Sequence, residues 1–429
     1  MADLRERYES WREARVRTRL AWLLGDARVL DFERADEEHL DVTSGDALAD
    51  VRAEASATSS AASRERQRRM IGALESAAVA RRIRDLAARA RARPDATELR
   101  EELVARESEA YAALGHANAL RFAESLREGV DYAEWSAHAE ALLTATAGTF
   151  RDAKAVLRPL DWSDALPASR LYGALDFALE GMGIALARAP GLRSDTDPHP
   201  GGRELAFTSA PRVPGEVWLI GAPRAGIPAL ESLFAAAGEA LHAAFTSANL
   251  PLELRVLGDP ASPLAWRFTL LQILAEPSFA EAGPAGGRSA EFGLVLRARR
   301  LAAARRCAAL VAPEIALGEL APGSDPHGLE SLYAERVEAA LGQAPDESAF
   351  LYECSARQNA VDELRALALA AELTRHLRER FGRRYWTTRG SGELLLELWN
   401  TGTTYSPEAL ARSLGLDRLG ADSLIRALL

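Results

Sequence analysis

The stretch Leu230 to Ala248, LESLFAAAGEALHAAFTSA, decides how the rest of the chain is read. Leu230, Leu233, Phe234, Ala237, Leu241 and Phe245 recur at helical spacing, which predicts a helix with one face built for burial. A second stripe, Glu231, Ala235, Glu239 and His242, projects together at offsets of four, four and three. Ala235-Ala236-Ala237-Gly238, which spans both stripes, is a full turn of small side chains.

Working outward, Arg203 to Ser209 and Glu216 to Gly221, joined by Ala210-Pro211-Arg212-Val213-Pro214-Gly215, read as a small hairpin and the only convincing β structure. The loop Ala222 to Gly226 leads from it into the helix. Before it, Ala189 to Gly202 carries three prolines and three glycines, the clearest punctuation in the chain. From Met1 to about Pro190 the pattern is almost wholly helical, over about 2–24, 47–92, 97–126, 132–157 and 168–187. Glu54 to Arg64 is rich in Ala and Ser, but its flanks favour a continuous helix over a linker. Downstream, helices are expected over about 262–275, 290–312, 328–341, 347–381 and 391–401. Gly382 closes one, and Ser406-Pro407-Glu408 opens another that ends at Gly415. No internal repeat is found.

The 429 residues can bury a large core, with 48% hydrophobic and 27% charged residues as in an ordinary globular protein. A net charge of −10 argues against nucleic acid as a partner. The basic clusters Arg64–Arg69 and Arg81–Arg93 are interleaved with apolar residues and read as solvated helix faces. Cys307 and Cys354 fit no metal spacing and are too few for a disulfide framework, so a reducing cytoplasm is expected. No leader-like apolar core and no run of membrane-spanning length is found, so no membrane association is expected.

Ordered pieces of the second half resemble the thimet-oligopeptidase and oligoendopeptidase-like zinc metallopeptidases, a gluzincin family. Val217-Trp218-Leu219-Ile220-Gly221 with Ala222-Pro223-Arg224-Ala225-Gly226 resembles their edge strand and following loop. Leu233-Phe234-Ala235-Ala236-Ala237-Gly238-Glu239-Ala240-Leu241-His242 resembles their L-F-H-E-x-G-H-A-L-H. Leu257-Gly258-Asp259 with Leu264-Ala265-Trp266-Arg267-Phe268 resembles the segment supplying their third ligand. The stretches 360–366, 379–386 and 398–402 resemble their late helices. The resemblance covers about 204–429, and the helical first half is compatible with it.

The resemblance implies a mainly α, elongated helical peptidase-like fold with a small β edge sheet and a central cleft between two lobes. The lobes would be an N-terminal helical one over 1–200 and a degenerate metallopeptidase-like one over 201–429. Carried over position by position, Ala235 stands for the first zinc histidine, Ala236 for the catalytic glutamate, Glu239 for the second histidine and Leu264 for the third-ligand glutamate. Zinc catalysis needs three protein ligands, a water and a base, and these residues cannot supply them. Asn359 and Glu363 stand where relatives carry an oxyanion-stabilising side chain.

The expected protein is therefore a catalytically inactive, zinc-free homologue with no cofactor. It would bind a peptide or protein, or pair with an active peptidase homologue as a structural or regulatory subunit. Trp218, Leu219, Glu231, Glu239 and His242 are the candidate peptide-binding residues, with Trp218 on a strand to which peptide would be added. Trp266, Trp386 and Trp399 read as core. Two other readings stay open. One is an enzyme rebuilt around Glu239 and His242, perhaps with Glu231, which predicts a polar pocket with a perturbed carboxylate. The other is an architectural subunit with an apolar outer patch.

Overall fold

A computed structural model describes residues 2–24, 48–49, 51–53, 60–83, 86–87, 89–90, 97–127, 129–157, 161–197, 205–221 and 224–429. The main helices are α1 (Ala2–Leu23), α2 (Ala61–Arg82), α3 (Thr97–Ala113), α4 (Ala119–Leu126), α5 (Tyr132–Ala153) and α6 (Ala168–Gly181). Three strands follow, β1 (Leu192–Asp195), β2 (Phe207–Arg212) and β3 (Glu216–Ile220). Beyond them come α7 (Ile227–Phe245), α8 (Ala261–Leu274), α9 (Ser289–Glu319), α10 (Leu329–Leu341), α11 (Asn359–Phe381), α12 (Arg389–Asn400), α13 (Pro407–Ser413) and α14 (Ala421–Leu428). The architecture is mainly α with one small mixed sheet. Among the described residues, no helix is long and apolar enough to cross a membrane.

The chain divides into two compact units, each drawn from separated segments. The first comprises 1–11, 29–147 and 302–364, and the second 12–28, 148–301 and 365–429. In the first, Tyr111 and Phe122 stack at 4.6 Å within an apolar cluster that includes Val79, Leu317, Tyr333, Val337 and Phe350. Arg127 is pinned there against Asp362 at 2.7 and 2.5 Å, with both side chains buried, so the desolvated charges satisfy one another. Helix α2 begins at Ala61 after an extended Ser60, so the stretch expected as one helix over 47–92 is broken there. Residues 54–59 and 91–96, and the loop positions 222–223, lie outside the described residues.

The second unit is organised around α7. Its buried residues run right round the helix, from Ile227, Leu230, Leu233 and Phe234 to Ala235, Ala236, Gly238, Leu241 and His242. A helix that is apolar on all sides needs partners on all sides, and α7 packs against α8, β2, β3, α6 and α12. The stripe read from sequence as a second, polar face is thus largely interior. Gly238 permits the closest approach: a Cβ there would lie 2.3 Å from the Trp266 carbonyl oxygen of α8. Gly238 is thus a packing device, letting the two helix backbones come together where a larger side chain would hold them apart.

The sheet order is β1-β3-β2, with β1 parallel and β2 antiparallel to β3. Trp218 pairs with Arg193 on one side and Ser209 on the other, and Leu219 with Ser194 and Thr208. The strand expected at the edge is therefore central. Its ladder is filled on both sides, and peptide cannot be added along it. The sequence reading missed β1, whose Leu-Arg-Ser-Asp lacks β-branched residues and sits inside the stretch taken as punctuation. The caps read from sequence are present: Ser406 Oγ accepts from the Ala409 amide at 3.2 Å, and Gly382 and Gly415 adopt φ of +83° and +66°.

Candidate functional site

A recess of about 380 Å³ opens within the second unit beside the middle of α7. Its walls are Arg12, Val16, Arg19 and Leu23 of α1, residues 206–210 along β2, Ser232, Ala236 and Glu239 of α7, and Arg267 of α8. Positions 12, 16, 19 and 23 share one face of α1 by their spacing, so a single helix face lines one wall. Several bonds fix β2 to this frame. Thr208 Oγ1 donates to the Ala236 carbonyl at 2.6 Å, the Ala206 amide donates to Ser232 Oγ at 3.1 Å, and Arg12 donates to the carbonyls of Pro211 and Ala210 at 2.9 and 3.2 Å.

Glu239 lies in this recess with 28% of its side chain exposed, 3.6 Å from Arg267 Nη1. Enclosure by protein raises its pKa above the ordinary carboxylate value, and Arg267 and then Arg19 draw it partly back. The recess therefore holds one acid, kept easier to protonate than a free carboxylate, among three arginines. Ala235 and Ala236, the neighbours expected to stand for a zinc ligand and a base, are each only 4% exposed. Leu264 is half-buried one turn before Arg267 on α8 and is not part of the wall. The recess is thus polar, as the rebuilt-enzyme reading expects of its pocket.

The other candidates do not converge on Glu239. Glu231 binds Arg299 at 2.8 and 2.7 Å. His242 is 4% exposed, and its Nε2 lies 3.0 Å from the Gly402 carbonyl. A carbonyl only accepts, so Nε2 carries the proton and donates it. Burial lowers the His242 pKa to about 4, and the ring stays neutral at physiological pH. It packs near Trp266 as a core side chain, with ring centroids 5.9 Å apart.

Leu219 is fully buried and offers no side chain to a ligand. Trp218 is half-buried, donates from Nε1 to Glu216 at 3.2 Å, and has the Arg193 guanidinium 5.2 Å from its ring centre. Trp266, Trp386 and Trp399 are core. Asp259, from the segment resembling the third-ligand region, is held by buried Arg365 at 2.9 and 2.5 Å. Asn359 and Glu363 belong to the first unit.

Sequence reasoning missed the three arginines. The face spacing of α1 was a usable signal for Arg12 and Arg19. Arg267 stood inside a quoted motif but was read only as its flank.

The fold is that of the metallocarboxypeptidases and oligoendopeptidase F-like peptidases, the fold expected from the resemblance. One such structure is an M32 carboxypeptidase from Deinococcus radiodurans R1, with a TM-score of 0.64 and 15% identity over 100% of this chain and 97% of that one. Another is metallocarboxypeptidase 1 from Trypanosoma cruzi, with 0.67 and 12% over 100% and 98%. A third, PZ peptidase A with an inhibitor, matches at 0.60 and 10% over 85% of this chain and 68% of its own. No protein-family profile and no curated protein sequence matches the chain.

Proposed function

We propose that the chain is a catalytically inactive, zinc-free metallopeptidase homologue that holds a peptide or protein segment in the recess beside α7 and serves as a binding or regulatory subunit, partnered with an active peptidase. The observation that carries this reading is the state of the three α7 positions corresponding to the ligands and base of the resembling family. Two are buried methyl groups, and the third, Glu239, faces Arg267. Methyl groups offer no lone pair to zinc, and one carboxylate beside a guanidinium makes neither a three-ligand site nor a base matched to a metal-bound water.

Peptide recognition is supported by the wall that β2 supplies. Main-chain groups alternate in direction along a strand, and those of Ala206 and Ala210 are engaged by Ser232 of α7 and Arg12 of α1. Thr208, between them, turns its own N–H and C=O toward the same margin, where an extended peptide can pair. Arg12, Arg19 and Arg267 favour peptides with acidic side chains or a free carboxylate at this point.

The second reading, an enzyme rebuilt around Glu239 and His242, draws support from the raised pKa of Glu239 in a polar recess. It lacks a second group, because His242 is committed to Gly402 in the core. One experiment separates the two. The full chain is incubated with a panel of fluorescent peptides, with and without added zinc chloride; anisotropy reports binding and mass spectrometry reports cleavage. Saturable binding that weakens in Arg267→Ala, with no cleavage, is the expected result. Cleavage abolished by Glu239→Gln would establish the second reading instead, and absence of any binding would defeat the first.

A further inference from the structure

A second set of chemically active side chains lies in the first unit, and the proposed peptide site does not use it. Glu101 projects from the first turns of α3, His327 from the turn preceding α10, and Glu330 from the first turn of α10. His327 Nδ1 is 3.4 Å from Glu330 Oε1, and its Nε2 is 3.9 Å from Glu101 Oε1 and 3.7 Å from Asp325 Oδ2. One donor atom from each of Glu101, His327 and Glu330 can be chosen so that all three lie within 4.8 Å of one another.

The charge balance of the group is one-sided. Several carboxylates in the same unit are met by guanidinium groups, as Glu107 is by Arg357 at 2.8 Å and Glu353 by Arg306. Among the described residues, no arginine or lysine pairs with Glu101, Asp325 or Glu330. Three acids therefore share one imidazole, which carries at most one positive charge. The imidazole also distinguishes the group from an ordinary acidic patch, because it supplies a nitrogen lone pair that solvated carboxylates lack.

We propose that Glu101, His327 and Glu330 form a binding site for a divalent transition cation of the zinc class, with Asp325 within reach as a fourth donor, and that the cation staples α3 to the turn entering α10. Mixed imidazole and carboxylate donors suit zinc, and all-oxygen sets suit calcium or magnesium. In a tetrahedral zinc site, donors about 2.0–2.2 Å from the metal lie about 3.3–3.6 Å apart. Glu330 meets this from Nδ1, while Glu101 and Asp325 face Nε2; a metal takes one ring nitrogen, so the exposed His327 ring and the half-buried Glu101 and Glu330 side chains reach a single ion by rotating about it. The supporting bonds are formed: Gly328 N–H donates to Glu330 Oε2 at 2.7 Å, and His327 N–H to Asp325 Oδ1 at 2.9 Å. Each leaves the other oxygen of its carboxylate available to a metal. The two ligand-bearing segments are more than 220 residues apart in sequence, so a metal joining them would constrain a long stretch of chain.

The test uses full-length protein without a polyhistidine tag, stripped with chelator and titrated calorimetrically with zinc chloride. The expected result is one equivalent bound and a rise in melting temperature on loading. His327→Ala and Glu101→Gln should each weaken binding by about tenfold or more, whereas Glu239→Gln should leave it unchanged. His327 is 64% exposed, so its alanine variant keeps the fold, as circular dichroism would verify. No stoichiometric binding, or binding that survives both variants, overturns the site. Binding lost in Glu239→Gln overturns it too, and at the same time refutes the zinc-free reading of α7. The cation site and the peptide site therefore fail by different results.

Discussion

His242 and His327 are the same imidazole placed in opposite surroundings. The first is enclosed by α7, α8 and the Gly402 carbonyl, and burial holds its pKa down at about 4. The second stands in solvent among Asp325, Glu330 and Glu101, and those carboxylates push its pKa up. On the proposed cation site, position in sequence points to the other one. His242 lies in the stretch that resembles a zinc helix, yet its hydrogen bond is spent on the core. His327 lies in a turn with no motif, and both its ring nitrogens face carboxylates, Nδ1 toward Glu330 and Nε2 toward Glu101 and Asp325. On the proposed cation site, metal binding follows the charges that face the ring rather than the stretch that resembles a zinc helix.

Four measurements sharpen or break this contrast. The largest effect expected is on pH-dependent stability. His242 is neutral in the folded chain down to about pH 4 but protonates near 6.5 when unfolded, so the unfolded state binds more protons between those values. The stability it contributes is full above pH 6.5 and is lost as pH falls toward 4, by about 3 kcal/mol in all at about 1.4 kcal/mol per unit. Urea denaturation of wild type against His242→Gln should show that difference closing with acid. A flat difference would mean that the ring is not buried neutral.

Next in size is Gly238→Ala, whose methyl would meet the Trp266 carbonyl at 2.3 Å. It should cost about 1–3 kcal/mol by denaturant unfolding; a neutral result would mean that α7 and α8 are not in close contact there.

A smaller change, of opposite sign, is expected for Glu239→Gln. The folded pKa of Glu239 is raised above 4.5, so the folded state binds more protons just above that pH, and the charged form costs stability at neutral pH. The variant should be more stable than wild type at pH 7, with the difference vanishing below 4.5. A less stable variant would mean that Arg267 contributes more than burial removes.

The smallest effect is that of His327→Ala in the absence of any divalent cation. It should leave the denaturation midpoint unchanged, because the surface pairs of His327 are screened by solvent. A lowered midpoint would make His327 a structural residue in its own right.

Much of the second unit could be read from sequence. The apolar positions of α7, the capping residues at Ser406, Gly382 and Gly415, and the resemblance along 204–429 all depend on local spacing and order, which a linear pattern records. What escaped depends on pairings between distant segments. Trp218 looks like an edge-strand residue until Leu192–Asp195, which carries no strand signal of its own, pairs beside it. His242 looks available until Gly402 is brought to its Nε2. Arg19, Glu239 and Arg267 come from three helices, and Glu101 and Glu330 from two. A one-dimensional pattern does not show which charge will sit opposite which.

The contact at Gly238 bears on the recess as well as on stability. Gly238 is where α7 meets the α8 backbone, whereas Ala236, two residues earlier, lines the recess. On the proposed reading the two positions set different limits: a side chain larger than hydrogen at 238 parts the helices, and one larger than methyl at 236 grows into the room a peptide would use.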